Sequence, residues 1–258
     1  MILLMGIFLV ILFLFFPLFF SIIAREHLLI ETFSAFLCFF AGLIFIYLAF
    51  LAKRIPEKRP MVLLFIFLMI FGLFFLGLEE NSWFQFVFEW DLPEVIESNA
   101  QHDLNLHNFA TEVFENIYYF GGFVFLVLIP FLFGKKVFRK SHFMNIFVPG
   151  EFVLAVGALA VAYNYDNWNG LVVLLSVFLT FFILIDYALS AWRDGRVFWV
   201  ALLLVFVISQ AVFLIFGHNF IRTWDVTEYK EFLIPLGLAL YSLEVRCRML
   251  HRQRPVSA

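Results

Sequence analysis

The sequence predicts an all-α fold, a polytopic bundle of about eight transmembrane helices with both termini in the cytoplasm. Of its 258 residues, 64% are hydrophobic and 14% are charged, and the mean hydropathy is +0.98. A soluble domain has roughly 45–50% apolar and about 25% charged residues. Too few charges are present to cover a soluble surface, which excludes a soluble enzyme. The net charge of −3 also excludes a nucleic-acid binder, because the sequence has no excess of basic residues to neutralise phosphate groups.

Eight stretches are apolar enough to cross a membrane, which takes about 20 mainly apolar residues. In order they are 2–23, 28–51, 61–80, 112–133, 147–163, 170–192, 197–217 and 229–250. The first is longer than the roughly 7–15 apolar residues of a signal-peptide core, and no Lys or Arg precedes it. We therefore expect it to be a retained helix. The fifth stretch is the shortest of the eight.

Basic residues predict the orientation of these spans, because Lys and Arg concentrate in cytoplasmic connections. Alternate connections carry them: Lys53, Arg54, Lys58 and Arg59; Lys135, Lys136, Arg139 and Lys140; Arg193 and Arg196; and Arg246, Arg248, Arg252 and Arg254. The other connections hold only Arg25, Arg222 and Lys230. This alternation predicts eight spans with both termini inside. No repeat or linker divides the chain, so residues 1–258 are expected to form a single integral membrane domain.

The one long connection, 79–111, is predicted to lie outside and to be strongly acidic. Nine acidic residues fall between Glu79 and Glu115, and no Lys or Arg occurs from Met61 to Gly134. Its aromatic content favours short interfacial helices over disorder. We expect the third helix to continue as an amphipathic piece towards Trp90, and a second short helix to cover 91–98.

Ionisable side chains at the outer ends of these spans are functional candidates, because such groups are costly in hydrocarbon. General acid–base chemistry leads us to four candidate catalytic residues: Glu79, Glu80, Asp103 and His107. An overlapping set could hold a divalent metal that activates water: His107, His218, Glu80 and Glu228. No His-Glu-x-x-His motif supports the metal, so the cofactor is left open between none and a divalent ion.

Structural interpretations compete with these functional ones. Acidic residues in the first turn of a helix favour its dipole, which would account for Glu112, Glu115, Glu228 and Glu231. Glu79 and Glu80 lie at a helix C-terminus, where this explanation fails. Ser209 and Gln210 lie in the middle of the seventh span and are expected to form interhelical hydrogen bonds or to line a cavity.

Two blocks in the outer loop carry a resemblance to other proteins. The chain resembles a group of uncharacterised bacterial polytopic membrane proteins at two places: Glu79-Glu80-Asn81-Ser82-Trp83-Phe84-Gln85 and Gln101-His102-Asp103-Leu104-Asn105-Leu106-His107-Asn108. That group carries Glu-Glu-x-Ser-Trp-Gly-Gln and then Gln-Gly-Glu-x-Asn-Leu-His-Asn. Phe84 replaces its Gly, and His102-Asp103 replaces its Gly-Glu. The resemblance implies a polytopic fold with its distinctive residues outside, and no assigned reaction.

Three functions fit these observations. The first is a membrane-embedded enzyme that acts on a lipid or lipid-linked substrate through an outward-facing carboxylate/His site. The second is a structural or accessory subunit of a larger membrane complex, favoured by the 40 Phe residues and the lack of a catalytic motif. The third is a cation-coupled transporter, although no internal repeat supports it. The expected location is the bacterial inner (plasma) membrane, with the lipid bilayer and other membrane subunits as partners.

Overall fold

Helices form the regular structure of this protein, which confirms the predicted all-α class. The structure is a computed structural model that describes residues 1–25, 29–52, 59–88, 111–134, 142–165, 170–191 and 193–251. Within these ranges the chain contains helices and no β-strand. The predicted helix 91–98 lies outside the described residues.

Most helices overlap the predicted spans, but the fifth stretch, predicted as 147–163, is helical only over Glu151–Val161, after a break at 148–150. We number them α1 Ile2–Phe15, α2 Pro17–Ile23, α3 Leu29–Ala52, α4 Arg59–Glu80, α5 Gln85–Phe88, α6 Thr111–Gly134, α7 His142–Phe147, α8 Glu151–Val161, α9 Leu171–Ser190, α10 Arg193–Phe216 and α11 Asp225–His251. α6 contains a π-helical segment, Val124–Leu128. Ser82–Phe84 and Gly217–Asn219 are short 3-10 helices.

Five of these helices are long and apolar enough to cross a membrane by length and composition. They are α3, α6, α9, the Pro60–Glu80 part of α4 and the segment Gly195–Asn219, which includes most of α10. Large apolar side chains such as Phe67 and Phe71 are mostly exposed on α4. Contiguous apolar surface of this kind is unusual for a soluble monomer and suits contact with lipid. The protein is therefore integral to a membrane.

The first predicted span, 2–23, is broken into two helices. Phe16 has φ −138° and ψ 57°, outside the helical region, and Pro17 begins α2. A residue before proline is pushed out of the α region, while proline suits the first helical position. Both pieces contribute to the core, since Phe13 and Phe20 are almost fully buried.

Two hydrogen bonds join the α2 end to the start of α11. The Tyr229 hydroxyl donates to the Phe20 carbonyl at 2.8 Å, and Arg222 Nη2 donates to the Ala24 carbonyl at 2.9 Å. Arg222 also forms an ion pair with the buried carboxylate of Asp225 at 2.8 Å. The Phe20 carbonyl already accepts the Ala24 backbone N–H at 3.3 Å, whereas carbonyls beyond the last turn of a helix lack a partner within it. Arg222 therefore satisfies the Ala24 carbonyl, and the two side-chain contacts fix α2 against α11.

α8 lies at the centre of the bundle. Every residue from Val153 to Val161 is buried, and the helix packs against α1, α6, α9, α10 and α11. Its 11 residues extend only about 16 Å at 1.5 Å per residue. A Cβ on Gly157 would lie 2.6 Å from Leu126 Cβ, so glycine is what allows α8 and α6 to approach this closely.

Helix α4 ends at Glu80 in a left-handed turn, whereas the sequence predicts that the helix continues. Ser82, Trp83 and Phe84 have φ values of 45°, 53° and 60°. The Trp83 indole Nε1 folds back and donates to Glu79 Oε1 at 2.7 Å. The left-handed region costs a non-glycine residue roughly 1–2 kcal/mol, so packing and this hydrogen bond outweigh the helical preference.

We expect Phe84→Gly to be more stable than Phe84→Ala by about 1 kcal/mol. Both variants lose the ring that stacks on Phe39, but only glycine removes the Cβ strain at φ 60°. Unfolding by a denaturing detergent, followed by circular dichroism, measures the difference. At Phe71, inside α4, the Ala variant should instead be more stable than the Gly variant, because alanine is the better helix former by about 1 kcal/mol. If Phe84→Ala is as stable as Phe84→Gly, or more stable, the backbone strain at position 84 is contradicted.

Candidate functional site

Acidic side chains from three helices meet at one end of the bundle. We call Glu31 of α3, Glu79 and Glu80 of α4, and Glu228 and Glu231 of α11 the carboxylate cluster. The Glu80 carboxylate interacts electrostatically with Glu231, Glu31 and Glu79, and Glu228 interacts with Glu231, Glu31 and Glu80. α3 packs against both α4 and α11. The cluster therefore lies where α3 and α11 begin and α4 ends.

The two adjacent acids that end α4 have different surroundings. Glu79 is only 7% exposed, and one of its oxygens accepts the Trp83 indole hydrogen bond. Glu80 accepts a 3.5 Å hydrogen bond from the Tyr118 hydroxyl of α6. That hydroxyl also lies 3.5 Å from the carbonyl oxygen of Glu231. Glu79 therefore holds the turn after α4, whereas Glu80 faces the other helices of the cluster.

A second tyrosine connects the cluster to the core. The Tyr119 hydroxyl donates to Glu231 Oε1. The Lys230 ammonium lies 4.2 Å from the centre of the Tyr119 ring and donates to Asn164 Oδ1. Lys230 is 3% exposed and interacts electrostatically with Glu231 and Glu115. Lys230 and Tyr119 therefore connect the cluster to Asn164 in the core.

A small cavity of about 20 Å³ lies beside Lys230. Its polar lining comes from Tyr119, Asn164, Ser176 and Lys230, and its apolar lining includes Phe123 and Leu126. A cavity needs roughly 10–15 Å³ to hold one water molecule. This space is therefore far too small for a lipid headgroup.

Ser34 is a buried polar group on the side of α3 that faces the cluster. It is fully buried, and its hydroxyl has no hydrogen-bond partner among the described residues. Glu31 lies three residues before it and Cys38 four residues after it, which places all three on one helix face. Cys38 and Glu31 both interact with Glu80. An unsatisfied buried hydroxyl costs about 1–3 kcal/mol, so Ser34 calls for an explanation.

The sequence-derived site residues separate into three groups. Glu79, Glu80 and Glu228 lie together in the cluster. His218 lies apart, exposed in the 3-10 helix Gly217–Asn219, and no described interaction links it to the carboxylates. Asp103 and His107 lie outside the described residues. Within the described part of the chain, no three His, Cys, Asp or Glu side chains are arranged to hold one metal ion.

Sequence reasoning missed Tyr118, Tyr119, Lys230 and Ser34 as members of this site. The sequence analysis places Lys230 among the charges of the connections, although its position between Glu228 and Glu231 on one helix is a usable signal. Tyr118 and Tyr119 lie about one turn beyond Glu115, on a helix whose outer end was already suspected. Nothing in the sequence distinguished Ser34 from an ordinary small residue of a membrane helix.

Comparison with protein-family models gave no match. Comparisons with curated proteins and with solved structures gave none either.

Proposed function

We propose that this protein is a membrane-embedded enzyme that acts on a lipid or lipid-linked substrate, with Glu80 as the central acid–base group. One observation carries the proposal: Glu80 and Glu228 come from different helices and interact electrostatically at the end of a span, and the Tyr118 hydroxyl donates to Glu80 at 3.5 Å. Ionisable groups at that depth are rare unless they have a function. His218 has no part in the proposal.

The arrangement in the membrane belongs to the same proposal. The proposed arrangement has eight spans: the five helices that are long and apolar enough to cross, together with α1–α2, α8 and α11. The alternation of basic connections favours cytoplasmic termini. The carboxylate cluster then faces outwards at the depth of the lipid headgroups, in the bacterial inner membrane.

The chemistry follows from the surroundings of Glu80. A carboxylate that is withdrawn from water can accept or return a proton at a reacting group, which is worth about 10²–10⁴-fold in rate. The Tyr118 hydroxyl, 3.5 Å from Glu80, is placed to orient that carboxylate or to relay its proton. Asp103 and His107 of the outer loop are proposed as further catalytic candidates.

We expect Glu80→Gln to lower turnover at least about 100-fold, because the amide cannot take up the proton. Tyr118→Phe should lower it about 10-fold, since it removes only the orienting hydroxyl. The assay incubates purified protein with lipids extracted from its native membrane and follows their masses by mass spectrometry.

Glu112→Gln is the matched control for this assay. Glu112 lies exposed in the first turn of α6 and should change turnover less than twofold. Unchanged activity in Glu80→Gln, or no lipid altered by the wild-type protein, would refute the proposal. A chain that always co-purifies with another membrane subunit in such preparations would favour the accessory-subunit function instead.

A further inference from the structure

The small cavity beside Lys230 is polar, buried and enclosed by four segments of the bundle. Its volume is about 20 Å³, and its polar lining comes from Tyr119, Asn164, Ser176 and Lys230. No more than 7% of any of these four residues is exposed. Because all four border the same small space, one small molecule within it lies beside all of them.

The Lys230 ammonium has more hydrogen-bond donors than its described contacts use. It carries three N–H bonds. Asn164 Oδ1 accepts one of them, and the face of the Tyr119 ring lies 4.2 Å away. Both of these residues also line the cavity, so the ammonium lies at the cavity wall. A further N–H is therefore available to an acceptor in the cavity, and leaving a buried charged donor unsatisfied is costly.

Asn164 and Ser176 add a donor and an acceptor to the cavity wall. The Asn164 oxygen faces Lys230, because an ammonium can only donate. The Asn164 nitrogen has two N–H bonds, and the Val161 carbonyl accepts one of them at 2.6 Å. The Ser176 hydroxyl donates its hydrogen to the Val172 carbonyl at 2.8 Å, which leaves its oxygen able to accept. Two donors and one acceptor are thus available.

This combination favours water over an anion. Lys230 already interacts electrostatically with Glu231 and Glu115, so no anion is required to balance its charge. Chloride also has no hydrogen to donate to the Ser176 oxygen, whereas water both accepts and donates. A cavity needs roughly 10–15 Å³ for one water, and a buried water typically makes about three hydrogen bonds. The volume and the polar groups of this cavity match both requirements.

We propose that the cavity binds one water molecule, which accepts hydrogen bonds from the Lys230 ammonium and the Asn164 amide and donates one to the Ser176 oxygen. This water hydrates a cation that is only 3% exposed. Through Ser176 it also links α9 to α11 and to the segment that follows α8. The inference is independent of the proposed function, because it involves no group that is assigned to catalysis.

Hydroxyl-radical labelling of the purified protein in detergent tests the inference. Brief X-ray radiolysis generates hydroxyl radicals from water, and these radicals oxidise side chains beside a bound water even where bulk solvent does not reach. Phe123 lines the cavity and is 2% exposed, so we expect mass spectrometry to find oxygen added to its ring. Phe45 and Phe213 are fully buried and do not line the cavity, so these two controls should stay unlabelled.

Val173→Ile and Val177→Ile form a matched pair on α9. Both valines are buried, but Val173 lines the cavity and Val177, one turn further along, does not. The extra methylene of Val173→Ile should displace the water, so the label on Phe123 is lost and Tm falls because Lys230 loses an acceptor. Val177→Ile should keep the label. In a dry cavity the same methylene would fill empty space, and Tm would rise.

Ser176→Ala and Ser209→Ala test the acceptor of the water. Each hydroxyl donates to a carbonyl of its own helix, at 2.8 Å for Ser176 and 2.7 Å for Ser209. Loss of such a local bond changes stability little. Ser176 lines the cavity and Ser209 does not. Ser176→Ala should therefore lower Tm more than Ser209→Ala, because it also removes the acceptor of the water.

Four results would overturn the inference: an unlabelled Phe123 in the wild-type protein, a label on Phe123 that persists in Val173→Ile, a higher Tm in Val173→Ile than in wild type, or equal Tm changes in the two serine variants. A saturable rise of Tm when chloride replaces gluconate at equal ionic strength would assign the cavity to an anion and would overturn it too. An unchanged Tm in that exchange, together with a labelled Phe123, would support the water.

Discussion

Replacement of Gly157 by valine is expected to destabilise the bundle by about 3 kcal/mol or more. A Cβ at this position would lie 2.6 Å from Leu126 Cβ and 3.1 Å from the Leu126 carbonyl carbon. Neither atom can move away by a side-chain rotation, so α6 and α8 must separate. Because α8 is buried on every side, that separation would disturb its contacts with α11 as well.

Gly121→Val is the control for this substitution. Gly121 also lies in a helix, α6, but a Cβ there meets no atom within 4 Å. Valine should be neutral or slightly stabilising at this exposed position, because glycine is a poor helix former. Unfolding in a denaturing detergent gives both free energies. Equal stability of the two valine variants would contradict the close approach of α6 and α8.

Lys230→Met is expected to destabilise the protein by about 2–3 kcal/mol. Methionine keeps a similar length and apolar stem. It removes the hydrogen bond to Asn164, the contact with the Tyr119 ring and the positive charge beside Glu231 and Glu115. The Asn164 side-chain oxygen would then be left without this donor, although Asn164 Nδ2 still donates to the Val161 carbonyl at 2.6 Å.

Arg246→Met is the control, because Arg246 is an exposed cation on the same helix. Its guanidinium lies 5.9 Å from the Tyr47 ring centre, so its loss should cost less than about 0.5 kcal/mol. A double-mutant cycle of Lys230→Met with Asn164→Leu should give a coupling of about 1 kcal/mol or more. Additive effects in that cycle would show that the two side chains do not stabilise each other.

The spanning helices could be predicted from the sequence because lipid-facing and buried surfaces are both apolar. The second stretch, predicted as 28–51, is helical over Leu29–Ala52, and the sixth, predicted as 170–192, is helical over Leu171–Ser190. The turn after Glu80 could not be predicted. Its left-handed residues depend on packing and on the indole hydrogen bond to Glu79, which local helical preference does not encode.

The acidic half of the site was visible in the sequence, and the rest depends on helix neighbours. Glu79 and Glu80 were singled out because two acids at a helix C-terminus need a reason. Ser34 and Tyr118 acquire meaning only from the packing of α3 and the approach of α6 to Glu80, which periodicity does not reveal. Similarly, Gln210 donates to the Ala162 carbonyl of another segment as predicted, whereas Ser209 bonds within its own helix.

The hydrogen bonds between the α2 end and the start of α11 bear on how the bundle assembles during synthesis. The bonded residues are 209 apart in one case, Phe20 and Tyr229, and 198 apart in the other, Ala24 and Arg222. At about 5–20 residues per second, a ribosome needs on the order of 10–40 s to make the intervening chain. A nascent chain arrested before Arg222 would leave α1 and α2 without these partners, so this corner of the bundle can close only late in translation.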